Sequence, residues 1–197
     1  MMTACVLKDL PLVERAVVFA AVKHAGTLRK NAPVPCIAHA VEAMTITAGM
    51  TDDPEVLAAA VLHDTLEDTA TVPEELEGLF GRRVRDLVAA ETEDRGRNLP
   101  GAGNWAARKG ETVGRLMASG TDVRMVALGD KLSNLRALRR DLMRLGGRLW
   151  EKFHQKDPAM QGMYYQALKA VFAADPAIRD TQACREYMDL AERVFGG

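Results

Sequence analysis

The sequence predicts an all-α protein, and three observations support this. Apolar residues recur at helical spacing along most of the chain. No alternating apolar–polar run persists long enough to indicate a strand, and the β-branched residues are scattered. With 197 residues, 48% of them hydrophobic and 27% charged, the chain can bury a sizeable core. We therefore predict a single compact multi-helix domain over residues 1–197.

The first three helices are indicated by periodicity and by their ends. Residues 12–26, LVERAVVFAAVKHAG, place apolar side chains at helical spacing and end at Gly26. A second helix is predicted over residues 35–50, PCIAHAVEAMTITAGM. Asp53 followed by Pro54 has the pattern of an N-cap with a first-turn proline, and it predicts the start of a third helix.

The later elements are separated by turn and loop signals. Thr71 and Glu74 have the T-x-x-E spacing of a capping box, and Gly81 separates the helix that follows from the next one, RRVRDLVAAETED. Residues 95–104, RGRNLPGAGN, predict a loop because they are rich in glycine and basic residues. Further helices are predicted at residues 105–118, 122–140, 147–156, 158–174 and 176–195.

The aromatic residues of the last segments are predicted to pack rather than to stack on a substrate: Trp150, Phe153, Tyr164 and Tyr165.

Charge and cysteine content narrow the possible partners. The formal net charge of −1 gives no overall attraction to nucleic acid or to a membrane, so an anion site would depend on local clustering. No apolar run approaches the roughly 20 residues that span a bilayer, and the N-terminus lacks the pattern of a signal peptide. Cys5, Cys36 and Cys184 are far apart and form no CxxC pair, which fits a reducing cytoplasm. We expect a cytoplasmic protein, and the sequence gives no oligomeric state.

A cluster of ionisable residues follows the apolar run EVLAAAVL. His63, Asp64, Glu67 and Asp68 occupy one sector of a helix, because residues four apart lie on the same face. They also fall in the predicted last turn, where each carboxylate loses about 0.3–1 kcal/mol against the helix dipole. A bound cation would remove this penalty. A solvated helix end with an exposed acidic patch explains the spacing equally well.

Three further residues are candidates for a metal site, although none is persuasive alone. His39 lies in the second helix between alanines, where a histidine is usually a buried core residue. His24 can likewise be a buried core histidine, and at a helix end its positive charge can also complement the helix dipole. Asp130 lies in the apolar segment LGDKLSNLRALRR, where an ion pair with Lys131 or with a neighbouring arginine is the simpler interpretation.

Together these residues resemble a known family. The order H … HD … D resembles the HD superfamily of metal-dependent phosphohydrolases. Five segments are also similar, in order, to the hydrolase domain of RelA/SpoT-type proteins and to the small alarmone hydrolases: AVKHAGTLRK, IAHA, AAAVLHDTLEDT, LFGRRVRDLV and GDKLSNLRAL. The resemblance covers about residues 12–140, so residues 141–197 form a helical C-terminal extension. It implies an HD-domain fold and the removal of the 3′-pyrophosphate from the nucleotide ppGpp with a manganese ion.

The resemblance also implies roles for individual residues. The metal ligands would be His39, His63, Asp64 and Asp130, and the pair flanking the nucleophilic water would be Glu67 and Asp68. Two imidazoles and two carboxylates suit Mn²⁺, although Fe²⁺, Zn²⁺ and Co²⁺ accept the same ligands. The family's RK pair, which lies against base and phosphate, corresponds to Arg29 and Lys30, and the asparagine that contacts the sugar–phosphate region corresponds to Asn134.

Another basic segment is visible without the resemblance. Residues 95–110 contain four basic residues and no acidic one, so Arg108 and Lys109 could face a polyphosphate from the start of the following helix; an ordinary solvated loop is the alternative. Two departures from the family are noted. Gly129 replaces an alanine, and Ala137 stands where a hydroxyl that helps to read guanine is expected, which leaves the base preference open.

Two other functions compete with hydrolysis of ppGpp. The first keeps the metal and changes the substrate, giving a nucleotidase or phosphodiesterase that acts on another phosphorylated nucleotide. The second is a module that senses a nucleotide without turnover. The complete ligand set and the retention of Glu67 and Asp68 argue against this second alternative.

Overall fold

The structure, a computed structural model, describes residues 9–29, 32–92 and 105–196. Over these ranges it contains helices and one isolated bridge between Leu28 and Pro35, and no strand. The predicted all-α class is therefore confirmed. Within the same ranges, no helix is long and apolar enough to cross a membrane.

Most helices lie where the sequence predicts them. In chain order they are α1 Leu12–Lys23, α2 Cys36–Thr47, α3 Pro54–Leu62, α4 Thr65–Asp68, α5 Pro73–Phe80, α6 Arg82–Glu91, α7 Trp105–Ala118, α8 Thr121–Leu145, α9 Pro158–Ala174 and α10 Gln182–Phe195. The predicted loop at residues 95–104 lies outside the described residues.

Local capping rules succeed at α3 and fail at α5. The Asp53 carboxylate accepts a hydrogen bond of 2.9 Å from the backbone N–H of Glu55, as predicted for an N-cap. The predicted capping box is wrong, because α5 begins at Pro73 and its N-cap residue, Val72, makes no side-chain cap hydrogen bond. The hydroxyl of Thr71 instead lies 2.7 Å from the hydroxyl of Thr69. Proline starts this helix without a cap, since its φ is already helical and it has no N–H to satisfy.

Two predicted C-terminal elements also need correction. The helix expected at 147–156 is a 3₁₀ helix, Gly146–Lys152. It follows directly from α8, which ends where Gly146 adopts the left-handed region with φ +58°. The last helix begins at Gln182 rather than at residue 176, and the Thr181 hydroxyl caps it by accepting a hydrogen bond of 3.1 Å from the Cys184 N–H.

Helix α8 is the centre of the packing. It packs against α2, α3, α6 and α10, and it buries apolar side chains on several sides, including Val126, Leu128, Leu132 and Leu135. Helix α3 is also a core helix, because residues 58–62 are fully buried. The end of the apolar run in α3 and the middle of α8 therefore meet inside the protein, and charged residues placed there lie in the interior.

Helices α2 and α8 approach each other most closely at Gly129. A Cβ atom at this position would lie 2.6 Å from the carbonyl oxygen of Ala43, and closer still to the Thr47 hydroxyl. That hydroxyl donates a hydrogen bond of 2.9 Å to the same carbonyl. The glycine that replaces the family's alanine thus allows the backbone of α8 to lie against α2, one residue before Asp130.

Substituting Gly129 should therefore destabilise the fold. Overpacking a dense interior typically costs about 1–3 kcal/mol, and we expect Gly129→Ala to lower the free energy of unfolding by that amount in chemical denaturation. Gly114→Ala on α7 is the matched control, because an added Cβ there meets nothing within 4 Å and alanine stabilises an exposed helix by about 0.5–1 kcal/mol. Equal effects of the two substitutions would contradict a tight contact at Gly129.

Candidate metal centre

The segment with the four ionisable residues is not the last turn of one helix. Helix α3 ends at Leu62, His63 and Asp64 form a turn, and the single-turn helix α4 follows. Two side chains satisfy carbonyl oxygens at this break: Nδ1 of His63 donates to Ala60 at 2.8 Å, and the Thr65 hydroxyl donates to Leu62 at 2.7 Å. The hydrogen bond to Ala60 fixes the imidazole of His63 so that Nε2 points away from its own helix.

Four side chains from three parts of the chain converge at this point. Nε2 of His63 lies 3.2 Å from Nε2 of His39 on α2. Oδ1 of Asp130 on α8 lies 3.1 Å from Nε2 of His39 and 3.7 Å from Nε2 of His63. The carboxylate of Asp64 lies 3.2 Å from Nε2 of His63 and 3.7 Å from Nε2 of His39. His39, His63 and Asp130 are buried, whereas the Asp64 side chain is 31% exposed.

The hydrogen-bond partners determine which ring nitrogens carry protons. Nδ1 of His63 faces a carbonyl oxygen, which can only accept, so Nδ1 must donate. Nδ1 of His39 lies 2.8 Å from Oγ of Ser133, and that hydroxyl donates its own proton to Oε2 of Glu42 at 2.7 Å. Oγ of Ser133 therefore accepts from His39. A neutral ring therefore carries its proton on Nδ1 and its lone pair on Nε2, which faces the centre. Without a cation, the carboxylates 3.1 and 3.2 Å from the Nε2 atoms of His39 and His63 favour a second proton there.

These atoms fit a divalent cation. Two imidazole lone pairs and two carboxylates converge, and acceptors this close repel one another unless positive charge lies between them. Nitrogen and oxygen donors of this kind are borderline ligands that suit Mn²⁺, Fe²⁺, Zn²⁺ and Co²⁺. His39, His63 and Asp130 each offer a ligand atom within 4.8 Å of the others, so these residues could hold a metal ion.

The pKa values reflect the same demand for positive charge. Burial opposes a charge on His63, yet the carboxylates of Asp64 and Asp130 raise its pKa to about 9. Burial lowers the pKa of His39. Burial would raise the pKa of Asp130, but the ammonium of Lys131 and the two imidazoles hold it well below the usual range. The cluster therefore favours ionised carboxylates with positive charge among them.

Asp130 also forms an ion pair with Lys131, which was the alternative that the sequence predicted for it. Lys131 donates to Oδ2, while Oδ1 faces the histidines and accepts from the Asn134 amide. The amide oxygen of Asn134 in turn accepts from the Arg29 guanidinium. Two of the predicted substrate-binding residues, Arg29 and Asn134, are therefore connected to the candidate metal centre by hydrogen bonds.

The structure gives less information about the other predicted site residues. Glu67 is half-buried and Asp68 is exposed on α4. The Asp68 N–H donates a hydrogen bond of 2.9 Å to the Asp64 carbonyl, so the two residues come about one helical turn after Asp64. Lys30 lies outside the described residues. The ammonium of Lys109 lies 5.0 Å from the centre of the Tyr164 ring. The roles of Arg108 and Lys109 toward a substrate stay predictions.

The predicted packing aromatics do pack. Tyr164 and Tyr165 are each only 7% exposed. The Trp150 ring lies 6.1 Å from that of Phe153 and 5.7 Å from that of Phe195 on α10. The predicted packing is therefore confirmed, with Tyr164 and Tyr165 in the core and Trp150 and Phe153 partly buried against it.

Several residues near the centre were missed by sequence reasoning. Glu91 ends α6 with Oε2 4.0 Å from Nζ of Lys131, and its burial raises its pKa to about 7. Ser133 contacts His39, and Glu42 contacts Ser133. The i,i+3 spacings of Glu42 from His39 and of Ser133 from Asp130 were the available signals. His24 is buried, and neither ring nitrogen has a hydrogen-bond partner among the described residues. Because burial lowers the pKa of His24, it does not supply the positive charge that a helix end favours.

The chain is similar in sequence to known proteins of one family. A family model described as HD domain matches residues 16–159. The chain is 39% identical over 125 residues to the guanosine-3′,5′-bis(diphosphate) 3′-pyrophosphohydrolase MESH1 of Danio rerio, and 42% identical over 126 residues to the protein of that name of Homo sapiens. Each match covers 62% of this chain and 66% of the relative, just under two thirds of the relative's length.

A solved structure shares the fold. It is described as a metazoan ortholog of SpoT that hydrolyzes ppGpp and plays a role in starvation responses. It superimposes with a TM-score of 0.71 over 94% of this chain and 96% of its own, at 24% identity. The helices that position the candidate centre therefore follow a known arrangement.

Metal binding should depend on the converging side chains. We expect about one divalent ion per chain after dialysis against Mn²⁺, and its loss in His63→Ala and in Asp130→Ala, because each removes a donor atom from the centre. Elemental analysis measures the occupancy, and His154→Ala, an exposed histidine, is the control. Unchanged occupancy in both site variants would end the assignment.

Proposed function

Since the chain belongs to the HD domain family, we propose that it is a metal-dependent phosphohydrolase that removes the 3′-pyrophosphate from (p)ppGpp. The convergence of the His39 and His63 lone pairs with the carboxylates of Asp64 and Asp130 carries this proposal. The two MESH1 relatives support the choice of substrate, because they are named for this reaction. The cytoplasmic location expected from the sequence stays a prediction.

The metal is proposed to be Mn²⁺, held by His39, His63, Asp64 and Asp130. A divalent ion bound there supplies a lowered pKa for water and stabilises negative charge on phosphoryl oxygens. The protein contributes a preformed arrangement of donors, because Nδ1 of each histidine is already hydrogen-bonded away from the centre. The two rings therefore hold their Nε2 atoms in place before any ligand arrives.

Glu67 and Asp68 are proposed to handle the proton of the attacking water. A water that attacks phosphorus must lose a proton, and a carboxylate within one turn of the centre can accept it. Glu67 is half-buried and Asp68 exposed, so the two carboxylates differ in their contact with solvent. One can accept the proton while the other orients the water.

Substrate binding is proposed to depend on local positive charge. The chain carries a formal net charge of −1, so its overall field does not attract a polyphosphate. Arg29 is half-buried and hydrogen-bonded to Asn134, which places its guanidinium beside the centre. We assign the pair Arg29 and Lys30 to the base and phosphate of the nucleotide, and Asn134 to its sugar–phosphate region. Arg108 and Lys109 are assigned to its remaining phosphates.

The proposal is tested by turnover with Mn²⁺ against a panel of phosphate esters: (p)ppGpp, nucleoside mono- and triphosphates, and cyclic nucleotides. Release of pyrophosphate from (p)ppGpp supports it. Turnover of another nucleotide alone would move the activity to a nucleotidase or phosphodiesterase. Tight nucleotide binding with no turnover of any member would identify a sensing module.

Replacing Glu67 should separate chemistry from metal binding. General acid–base assistance typically contributes 10²–10⁴-fold, so we expect Glu67→Gln to keep its metal and its fold while kcat falls by about that factor. Metal analysis and steady-state kinetics on one preparation measure both properties. If Glu67→Gln and Asp68→Asn each turn over at the wild-type rate, neither carboxylate activates the water.

Replacing Arg29 should weaken substrate binding in a salt-dependent way. Charge-assisted contacts to phosphate contribute about 1.5–3 kcal/mol each, so Arg29→Ala should raise KM about ten-fold or more without loss of metal. Steady-state kinetics at two salt concentrations measure this. Lys109→Ala should have a smaller effect, because the Lys109 ammonium already lies 5.0 Å from the centre of the Tyr164 ring.

The matched control is Arg82→Ala, because the Arg82 side chain is 80% exposed on α6. It removes the same charge from the protein and should leave KM unchanged. Kinetic parameters of Arg29→Ala that equal those of the control at both salt concentrations would show that Arg29 does not contact the substrate.

A further inference from the structure

A line of hydrogen bonds leads away from the candidate metal centre through α8 and α2. Nδ1 of His39 lies 2.8 Å from Oγ of Ser133, and Oγ of Ser133 lies 2.7 Å from Oε2 of Glu42. Ser133 is 2% exposed and His39 is 5% exposed, so water does not compete freely for these contacts. The Glu42 side chain is 28% exposed, which places the carboxylate at the outer end of the line.

The line has a direction, because a serine hydroxyl has one proton. The carboxylate of Glu42 accepts only, so the Ser133 proton points to Glu42. Oγ of Ser133 then offers a lone pair to Nδ1 of His39, and this nitrogen must be the donor. The opposite assignment would leave a carboxylate oxygen facing a hydroxyl lone pair at 2.7 Å, which is repulsive.

The carboxylate at the outer end is itself held in place. Nη1 of Arg136 on α8 donates a hydrogen bond of 3.1 Å to Oε1 of Glu42. The same guanidinium donates twice to Glu186 on α10, at 2.7 Å from Nε and 2.7 Å from Nη2. Paired, parallel hydrogen bonds of this kind fix the plane of a guanidinium. Glu42 is therefore oriented by a residue that is anchored to the C-terminal helix.

We propose that Ser133 and Glu42 are positioning residues that hold His39 as the Nδ1–H tautomer, with Nε2 presented to the metal. The inference rests on the proposed function for the identity of the centre, and it adds two residues to which that function assigns no role. Outer hydrogen bonds of this kind orient a ligating imidazole and increase its basicity. The residues act through His39 and touch neither metal nor substrate.

The tautomer of the wild-type protein is the most direct test. Long-range ¹H–¹⁵N correlation spectra of the full-length, chelator-treated protein distinguish a histidine protonated at Nδ1 from one protonated at Nε2. The His39 signals are identified by their absence in His39→Gln. We expect Nδ1 of His39 to carry a proton, whether or not Nε2 carries a second one toward Asp130. An unprotonated Nδ1 in the wild type would overturn the proposal without any variant of the two positioning residues.

Metal affinity of variants provides the second test. Losing an outer hydrogen bond typically weakens metal affinity about 10–100-fold, so Ser133→Ala and Glu42→Ala should each raise the Kd for Mn²⁺ by about ten-fold or more. Since both act through one line, the double variant should be no weaker than the weaker single variant, within about two-fold. Glu42→Gln keeps an acceptor for Ser133 and should recover part of the affinity.

Thr45→Ala is the matched control, because this exposed hydroxyl of α2 bonds only to the Val41 carbonyl of its own helix among the described contacts. Mn²⁺ affinities of Ser133→Ala and Glu42→Ala that equal that of the control would overturn the proposal, as would fully additive losses in the double variant. None of these measurements uses a nucleotide. Failure of (p)ppGpp turnover with an intact metal site would therefore reject the proposed function and leave this inference standing.

Discussion

Four acceptor atoms meet in the interior of this protein, and positive charge must lie among them. Nε2 of His39 and of His63 are 3.2 Å apart, and each lies 3.1 to 3.7 Å from oxygens of Asp64 and Asp130. The surrounding architecture brings these atoms together from α2, from the turn after α3 and from α8. Close packing at Gly129 sets the separation of α2 and α8, and the break after Leu62 turns His63 inward.

The two imidazoles are oriented by different means. His63 bonds to the carbonyl of Ala60, three residues earlier, so its orientation follows from the end of its own helix. His39 depends on Ser133, which is 94 residues away in sequence, and through it on Glu42. One ligand is therefore fixed by local backbone geometry, and the other by tertiary contacts that form only when α2 and α8 pack.

This difference explains what could be predicted from sequence. Asp53 with Pro54, and Gly81, mark element boundaries through local backbone chemistry, and these predictions are confirmed. The HDTLEDT segment and Asp130 were each noticed from the sequence, but the resemblance supplied the spatial relation between them, which spacing alone cannot give. Glu42 and Ser133 were missed, since their partners are more than 90 residues distant. The capping box at Thr71 was wrong because Pro73 starts α5 and Thr69 engages the Thr71 hydroxyl.

The unequal exposure of the four converging side chains has a kinetic consequence. His39, His63 and Asp130 are buried, and 31% of the Asp64 side chain faces solvent. An ion entering the centre would meet Asp64 first, and on leaving it would release Asp64 last. A metal site at this position, as proposed, would therefore exchange with its surroundings past one carboxylate, while its three other side chains stay shielded from solvent.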